Sequence, residues 1–382
     1  MSLEQLVDLS RFYGANPQWV LAGGGNTSVK QNDTLYVKAS GTTLADASEE
    51  TFVRMDRTRL AGVLHKEYPR DADERERQAL QDLMDARRPG EERRPSVETL
   101  MHELMPFRFV VHTHPPLVNG ITCSREGQSA AQRVFGDTVV WVPNINPGLI
   151  LARAVGDAIE AFRRQHNDAP RIILLQNHGL VAGADTAEEV RSLHKTIFGQ
   201  VKGHVARMPD FDSIPYDGQR SELLAYQLVK RAQELDSGTP EYRSVLLTNR
   251  EIARFVRSEN AFAPLARAFS PDHIVYAGHR TPFLKLTDDI IAAKQAIGAA
   301  LGAFLAESGR IPPVVAVQEL GVFINGRTQR KMDAAAALFL DAVQVAVHAE
   351  SFGGAVPLPP EQTEFIMGWE VERFRSQVSA GE

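Results

Sequence analysis

Residues 109–116 read FVVHTHPP, an apolar run that ends in two histidines separated by one residue and is then stopped by two prolines. Side chains on a β-strand alternate between its faces, so His112 and His114 are predicted to point the same way. Proline cannot continue the hydrogen bonds of a strand, which puts the pair at the strand's end. The pair predicts two imidazoles that share one cation, although alone it is a weak signal that also fits two polar residues at the end of a strand.

A third histidine also follows an apolar run. His178 comes after RIILLQ, residues 171–176, and is followed by Gly179, which allows a tight turn. Catalytic zinc typically has three protein ligands and keeps a further position for water or substrate. Three histidines at strand ends therefore predict a catalytic divalent-metal site, although His178 alone also fits a hydrogen-bonded turn residue.

A carboxylate precedes the histidine strand in the stretch RRPSVETLMHELMPF. Pro95 and Ser96 are predicted to begin a short helix, which puts Glu98 in its first turn, close to the histidines. There Glu98 can bind the metal or act as a base; alone, it also fits a residue that complements the helix dipole. His102, four residues later on the same face, supports Glu98 or packs.

Two further stretches, GGGNTSVK (23–30) and KASGTTLADAS (38–48), are rich in glycine, serine, threonine and asparagine. Glycines let backbone amides approach an anion, and hydroxyl groups add donors. Neither stretch has the Walker pattern or a GxGxxG motif that opens a helix. They predict an anion-binding pair of loops, and the alternative is two ordinary tight turns.

The remaining pattern predicts an α/β protein of two domains, 1–212 and 213–382, divided by the Pro-, Asp- and Gly-rich stretch 208–220. No internal repeat is evident in the sequence. A capping box formed by Thr186 and Glu189 predicts the start of a helix that continues through Val201. Strands are predicted at 35–39, 107–112, 138–142, 171–176, 272–278 and 314–320, and further helices at 331–352 and 365–378.

Composition narrows the classes of partner. The net charge is −6 with a pI near 6.0 and no basic block, so nucleic acid is not expected as a partner. No run of about 18 apolar residues and no signal-peptide pattern is seen, so neither a membrane span nor secretion is expected. The single cysteine, Cys123, is compatible with a reducing cytoplasm, the expected location.

Taken in chain order, the segments GGGNTSVK, LYVKASGTTL, RRPSVETLMHE, FVVHTHPP and ILLQNHGLVAGADTAEEV resemble the class II aldolase/adducin family over roughly residues 1–210. HIVYAGH, GVFINGRTQRKMDAAAALFLDAV and FIMGWEVERFR resemble the segment that joins the halves of bifunctional rhamnulose-phosphate aldolase/alcohol dehydrogenases. The chain is therefore expected to be a stand-alone relative of the aldolase half. The resemblance implies a three-layer αβα domain with a central, mostly antiparallel sheet, followed by a smaller α/β region.

The resemblance also implies a function and a set of site residues. The activity would be cleavage of a deoxyketose 1-phosphate, such as rhamnulose or fuculose 1-phosphate, into dihydroxyacetone phosphate and an aldehyde. The cofactor would be Zn²⁺, or alternatively Mn²⁺, Co²⁺ or Fe²⁺, and the expected assembly is a homotetramer. The implied residues are His112, His114 and His178 for the metal, Glu98 for catalysis, and Gly25, Asn26, Ser40, Gly41 and Ser96 for the substrate phosphate.

Some features depart from the family pattern and keep other activities open. Val97 stands where aldolases have a second serine, so one phosphate donor is lost. Gln132 and Arg133 occupy the region where 4-epimerases carry an extra carboxylate, which counts against that activity. The catalytic tyrosine of the family cannot be assigned among the seven tyrosines. Decarboxylase and dehydratase activities, and a non-enzymatic adducin-like scaffold, remain alternatives.

Overall fold

The computed structural model describes residues 2–236 and 241–369, which divide into two compact units. Within these residues, unit 1 comprises 2–122, 126–205 and 369, and unit 2 comprises 123–125, 206–236 and 241–368. The domain boundaries predicted from the sequence, 1–212 and 213–382, remain a prediction.

Unit 1 is a β-sheet with helices around it. Its strands are β1 (Asn26–Gln31), β2 (Thr34–Lys38), β3 (Phe52–Asp56), β4 (Phe109–Thr113), β5 (Val139–Val142), β6 (Ile172–Leu175) and β7 (Gly179–Ala184). Its helices are α1 (Ser2–Gly14), α2 (Arg57–His65), α3 (Ala72–Asp85), α4 (Thr99–Leu104), α5 (Pro116–Thr122), α6 (Gly127–Phe135), α7 (Leu149–His166) and α8 (Ala187–Lys202).

In the described residues, the strands of unit 1 form a seven-stranded sheet in the order β3-β2-β1-β4-β7-β6-β5. Neighbouring strands are antiparallel except β5 and β6. Along the central strand β4, Phe109 and Val111 pack into an apolar cluster with α1 and α8, whereas Val110 packs into another with α4 and α7. Helices thus cover both faces of the sheet, which confirms the expected α/β fold with a central, mostly antiparallel sheet.

Unit 2 has a smaller sheet with the order β8-β11-β10-β9 in the described residues. The strands are β8 (Arg243–Leu247), β9 (Phe283–Leu284), β10 (Val314–Val317) and β11 (Gly321–Gly326). The helices are α9 (Gly218–Leu235), α10 (Arg250–Val256), α11 (Glu259–Phe262), α12 (Pro271–Tyr276), α13 (Ile290–Ser308), α14 (Gln329–Ala349) and α15 (Pro360–Gly368).

Several predicted elements are confirmed. Thr186 and Glu189 form the predicted capping box, with each side chain bonded to the other's backbone N–H, and α8 begins at the next residue after Thr186. The long helix expected at 331–352 is α14. Strands β2, β4, β5, β6 and β10 overlap the ranges 35–39, 107–112, 138–142, 171–176 and 314–320.

Two expectations for the C-terminal half need correction or qualification. The strand predicted at 272–278 is wrong, because most of that stretch lies in helix α12. Ser270 is the N-cap and Pro271 opens the first turn, and proline at that position has its φ already set for a helix. Of the helix predicted at 365–378, the first residues belong to α15, and those from 370 onward lie outside the described residues.

Two helices in the described residues, α13 and the stretch Gln329–Phe352 that contains α14, are long and apolar enough to cross a membrane by length and composition alone. Core helices of soluble proteins pass the same test. The most apolar window of Gln329–Phe352 is 61% buried within the protein, whereas that of α13 is 17% buried. The absence of a membrane partner therefore stays a prediction.

Candidate metal centre

The central strand of unit 1 ends at two histidines. β4 is buried throughout and pairs with β1 on one side and β7 on the other, with His112 opposite Asn26 in β1 and Val181 in β7. His114 follows the last residue of the strand, and Pro116 opens α5. The alternation predicted from the sequence holds, because the two imidazole Nε2 atoms lie 2.9 Å apart.

His178 is brought to the same place by the tight turn between β6 and β7. Asn177 in this turn has φ 54°, a left-handed conformation that asparagine tolerates. A Cβ atom at Gly179 would lie 2.5 Å from the carbonyl oxygen of Thr113 and 2.7 Å from Cδ2 of His114. Only glycine therefore fits between the turn and the end of β4, and this close approach positions His178 beside the other two imidazoles.

The three imidazoles present their Nε2 atoms to one point. His112 Nε2 lies 3.3 Å from His178 Nε2, and one ligand nitrogen from each of the three histidines lies within 4.8 Å of the others. His112 Nδ1–H donates to the carbonyl of Leu180 at 3.0 Å, which leaves the lone pair of Nε2 directed at the cluster. Around tetrahedral zinc with Zn–N distances of about 2.0–2.1 Å, ligand atoms lie roughly 3.3–3.4 Å apart. The cluster thus fits a divalent cation.

Glu98 lies against the same cluster. Its Oε1 is 3.3 Å from His112 Nε2 and 3.0 Å from His178 Nε2, spacings close to those between the nitrogens. Burial raises the pKa of the Glu98 carboxyl, but when no cation is bound the imidazoles of His112 and His178 can take up protons on Nε2, and their charges and hydrogen bonds then outweigh burial and hold that pKa well below its usual value. A divalent cation between neutral imidazoles would favour the ionised carboxylate in the same direction. Glu98 is therefore an ionised carboxylate that can ligate the cation or accept a proton.

The local structure at Glu98 differs from the prediction. The helix was expected to begin at Pro95 and Ser96, with Glu98 in its first turn, but α4 begins at Thr99 and Glu98 is its N-cap. Ser96 forms a turn instead, in which its carbonyl accepts from Thr99 N–H at 3.1 Å. As the N-cap, Glu98 is not aligned with the helix surface and turns towards the histidines.

A buried hydrogen-bond network holds the second carboxylate oxygen. Asn26 Nδ2–H donates to Glu98 Oε2 at 2.5 Å and to Ser96 Oγ at 3.2 Å, and Asn26 Oδ1 accepts from His102 Nε2–H. His102 Nδ1 in turn accepts from the hydroxyl of Ser28 at 2.7 Å. Each member of the network has a partner, so Glu98 is fixed by residues of β1 and α4 together.

His102 takes part in this network as a neutral imidazole. It is fully buried, and burial together with the nearby charges of His112 and Lys30 lowers its pKa to about 3. Lys30 is also buried and donates to the carbonyls of His102, Met105 and Phe107 at 2.6, 2.5 and 3.1 Å. Lys30 thereby satisfies carbonyls at the C-terminal end of α4, which carries His102.

The residues expected to bind phosphate come from three segments of unit 1: the start of β1, the loop after β2 and the turn before α4. Gly25 has φ 64°, and a Cβ there would lie 2.8 Å from the carbonyl oxygen of His112, so the glycine loop packs directly on the histidine strand. Gly41 also has positive φ, 80°. Ser40 donates its backbone N–H to the carbonyl of Arg94, two residues before Ser96. Asn26, in contrast, has its amide engaged with Glu98, Ser96 and His102.

Lys38 was not singled out from the sequence. It is 3% exposed, and its ammonium group donates to the carbonyls of Thr42 at 2.6 Å and Gly23 at 3.3 Å. These carbonyls belong to the two glycine-rich loops, so Lys38 joins the loops and gives them a positive charge. The signal that could have revealed it is a lysine at the end of a strand, directly before the glycine-rich loop that the sequence singled out, since buried lysines are rare unless paired.

Comparisons with known proteins find relatives that match nearly all, or about half, of the chain. A protein of Bacillus subtilis (strain 168) named "Uncharacterized oxidoreductase YuxG" is 24% identical over 412 residues, covering 98% of this chain but only 58% of that relative's length. A class II aldolase domain from Thermoplasma acidophilum is 28% identical, with a TM-score of 0.46, over 53% of this chain and 93% of that one. An L-fuculose-1-phosphate aldolase from Thermus thermophilus is 17% identical, with a TM-score of 0.34, over 52% and 91%.

The family model gives the most direct assignment. The model described as "Class II Aldolase and Adducin N-terminal domain" matches residues 4–197, about half of the chain. The match spans the elements that carry the glycine-rich loops, Glu98 and the histidines. This chain therefore belongs to the class II aldolase and adducin family.

Proposed function

We propose that the chain is a divalent-metal-dependent aldolase that cleaves a deoxyketose 1-phosphate, such as rhamnulose or fuculose 1-phosphate, into dihydroxyacetone phosphate and an aldehyde. The observation that carries the proposal is the convergence of His112, His114 and His178 with the Glu98 carboxylate beside them. Zn²⁺ is the proposed ion, because catalytic zinc is commonly coordinated by three protein ligands such as imidazoles, with a fourth coordination position that is open to water or substrate or is taken by a carboxylate.

The proposed chemistry divides between the ion and the chain. A divalent cation held by the histidines would polarise the substrate carbonyl and stabilise the negative charge left on the ketone half. Neutral imidazoles leave the charge of that cation undiminished. Because His112 Nδ1–H is committed to Leu180, the histidine is held in the tautomer that a metal ligand needs.

Glu98 is the proposed proton carrier. The C3–C4 bond breaks, the C4 hydroxyl loses a proton as it becomes the aldehyde, and C3 gains a proton. Glu98 is ionised and its Oε1 faces the histidines, so it can accept the hydroxyl proton and return it to C3 within one turnover. Asn26 holds the other oxygen, Oε2, and so fixes which oxygen moves the proton.

The proposed phosphate site is formed by the two glycine-rich loops and Ser96. The hydroxyl oxygen of Ser96 accepts from Asn26 and from the Glu98 backbone N–H at 3.3 Å, so its own proton is directed away from them. Lys38 adds a buried positive charge between the loops. Because Val97 removes one donor expected in aldolases, we include unphosphorylated ketoses in the substrate panel.

The test is a panel of ketose 1-phosphates scored for dihydroxyacetone phosphate release, with CO₂ release measured in parallel on hydroxy acids to detect a decarboxylase. We expect release by the wild-type chain to stop on chelation and to return with Zn²⁺. Glu98→Gln should lower kcat by about 10²–10⁴-fold, the usual contribution of a general acid–base group, while the ion stays bound. Glu160→Gln, on an exposed carboxylate of α7, is the matched control and should retain activity.

Unchanged release from the Glu98→Gln variant, or activity that survives complete removal of metal, would contradict the proposal. CO₂ release without triose release would replace it with the decarboxylase alternative. We further propose that the chain forms a homotetramer, which the mass of the purified protein in solution tests, and that it is cytoplasmic, which cell fractionation tests.

A further inference from the structure

Unit 2 repeats, strand for strand, the half of unit 1 that carries the histidines. In unit 1 the order β4-β7-β6-β5 has two antiparallel pairs followed by a parallel pair. In unit 2 the order β8-β11-β10-β9 has the same directions. The chain also visits the strands in the same sequence, with one long helix between the parallel strands, α7 in one unit and α13 in the other.

The strand registers agree residue by residue. Ile173 pairs with Val181 in unit 1, and the residues 142 positions later, Val315 and Phe323, pair in unit 2. The same spacing converts the parallel pair Val142–Leu175 into Leu284–Val317. Two unrelated sheets of this topology can share strand order, but a constant spacing through two strand pairings indicates that one segment is a copy of the other.

The turns and helix caps follow the same spacing. Asn177 has φ 54° in the turn that carries His178, and Glu319 has φ 60° in the equivalent turn. A left-handed glutamate is uncommon, so its presence here reflects an inherited turn. His178 N–H bonds to the carbonyl of Leu175 at 3.1 Å, and Leu320 N–H bonds to that of Val317 at 3.2 Å.

The helices that follow β7 and β11 begin in the same way. Thr186 caps α8 and Thr328 caps α14, each by accepting from the backbone N–H three residues later. The long helices α7 and α13 also end alike, at a left-handed Asn167 and a left-handed Gly309. Each of these pairs is separated by 142 positions.

The first strand of the repeat is offset by 134 positions, and its equivalence rests on pairing. Thr113 in β4 lies opposite Leu180, and Leu247 in β8 lies opposite Val322, the equivalent of Leu180. The helices after these strands end on matching carbonyls: Thr122 accepts from Asn177 N–H at 3.0 Å, and Val256 accepts from Glu319 N–H at 2.9 Å.

These registers identify the residues that stand where unit 1 has its histidines. Leu246 takes the place of His112, Thr248 that of His114 and Leu320 that of His178. A Cβ at Gly179 would meet His114 and His112 at 2.7 and 3.3 Å, and one at Gly321 would meet Thr248 and Leu246 at 2.9 and 3.0 Å.

Two of the three side chains in unit 2, Leu246 and Leu320, replace ligands with apolar packing, whereas the third, Thr248, has a buried hydroxyl oxygen without a hydrogen-bond partner in the described residues. Leu320 is buried and Leu246 packs against the same apolar cluster, together with residues such as Phe323. None of the three replacements offers a nitrogen, a thiolate or a carboxylate to a cation.

We propose that unit 2 is a second copy of the metal-carrying half of unit 1, in which the ligand positions, now Leu246, Thr248 and Leu320, form a latent metal site that has lost its ligands. The proposal rests on the proposed function only in taking His112, His114 and His178 as ligands. It predicts that histidines at the three latent positions are sufficient to create a metal site, because the backbone that presents them is retained.

The experiment uses the full chain with the unit 1 site removed by His112→Ala, His114→Ala and His178→Ala. Into this background we introduce Leu246→His, Thr248→His and Leu320→His, and we titrate with Co²⁺, whose visible absorption reports tetrahedral coordination. We expect the background to bind no Co²⁺ at these positions and the restored variant to bind one equivalent. The matched control adds the same number of histidines by Val245→His, Leu247→His and Leu320→His. Two of them then lie on the face of β8 opposite to that of Leu246, so this variant should lack the tetrahedral spectrum.

A folded restored variant that fails to give the Co²⁺ spectrum overturns the proposal, whatever the wild-type chain does. If the triple change unfolds unit 2 by circular dichroism, the double variant Leu246→His and Leu320→His is compared with Leu247→His and Leu320→His, and equal Co²⁺ binding by the two also overturns it. A wild-type chain without Co²⁺ binding contradicts the proposed function instead, so the two failures are distinguishable.

Discussion

The side-chain amide of Asn26 joins two residues of the α4 segment, donating to Glu98 Oε2 at 2.5 Å and accepting from His102 Nε2. Asn26 is the first residue of β1 and lies opposite His112 in the sheet. The strand that neighbours the histidines therefore also sets the orientation of the carboxylate. This linkage gives Asn26 a positioning role, different from the phosphate-binding role expected from the sequence.

Asn26→Ala separates these two roles. If Asn26 positions Glu98, kcat should fall about 10–100-fold, as is typical for residues that orient a site, with little change in KM. If Asn26 mainly binds phosphate, KM should rise for phosphorylated substrates while kcat is retained. Steady-state kinetics on a phosphorylated ketose decide between them, and a pure KM effect would contradict the positioning role.

His102→Phe tests the next link in the network. Phenylalanine fills a similar volume but cannot form hydrogen bonds with Asn26 or Ser28. The side-chain oxygen of Asn26 therefore loses the donor that helps to fix the orientation of the amide. We expect kcat to fall by about the same 10–100-fold as in Asn26→Ala. The double variant should be no worse than either single variant, because the two residues act through one chain of contacts. Fully additive losses would show that His102 acts independently of Asn26.

Gly179→Ala tests the close approach that positions His178. The added methyl group would lie 2.5 Å from a backbone oxygen and 2.7 Å from the His114 ring. We expect a loss of about 1–3 kcal/mol in the free energy of unfolding, typical of overpacking, and weaker Zn²⁺ binding. Gly199→Ala in α8 has open space around it and should stabilise by about 0.5–1 kcal/mol. Denaturant unfolding and zinc titration of both variants make the comparison.

Much of the site was predictable because it depends on local rules. Alternation along a strand put His112 and His114 on one face, and a glycine after His178 indicated the turn. The capping box at Thr186 fixed the start of α8. Glu98 was predicted near the histidines, but its place as the N-cap of α4 depends on tertiary contacts that a sequence pattern does not contain.

Other features were not predictable from local patterns. The strand β7, with the sequence GLVAGA, is rich in glycine and alanine, which disfavour strands, yet it is buried in the sheet and its small residues allow close packing. The strand expected at 272–278 has strand-like residues, but Ser270 and Pro271 begin a helix. The repeat in unit 2 is not visible as a sequence repeat, because it retains the backbone register while the residues at the ligand positions differ, as with His178 and Leu320.

The most direct test of the account measures zinc content and coordination in the purified full chain. Elemental analysis should find one Zn²⁺ per chain, and X-ray absorption should find nitrogen or oxygen ligands at about 2.0–2.1 Å. Zinc should be lost from the variant with alanine at His112, His114 and His178, and retained when the exposed His65 in α2 is changed to alanine. Zinc that remains bound after all three ligand histidines are removed would contradict the central claim that they form the metal site.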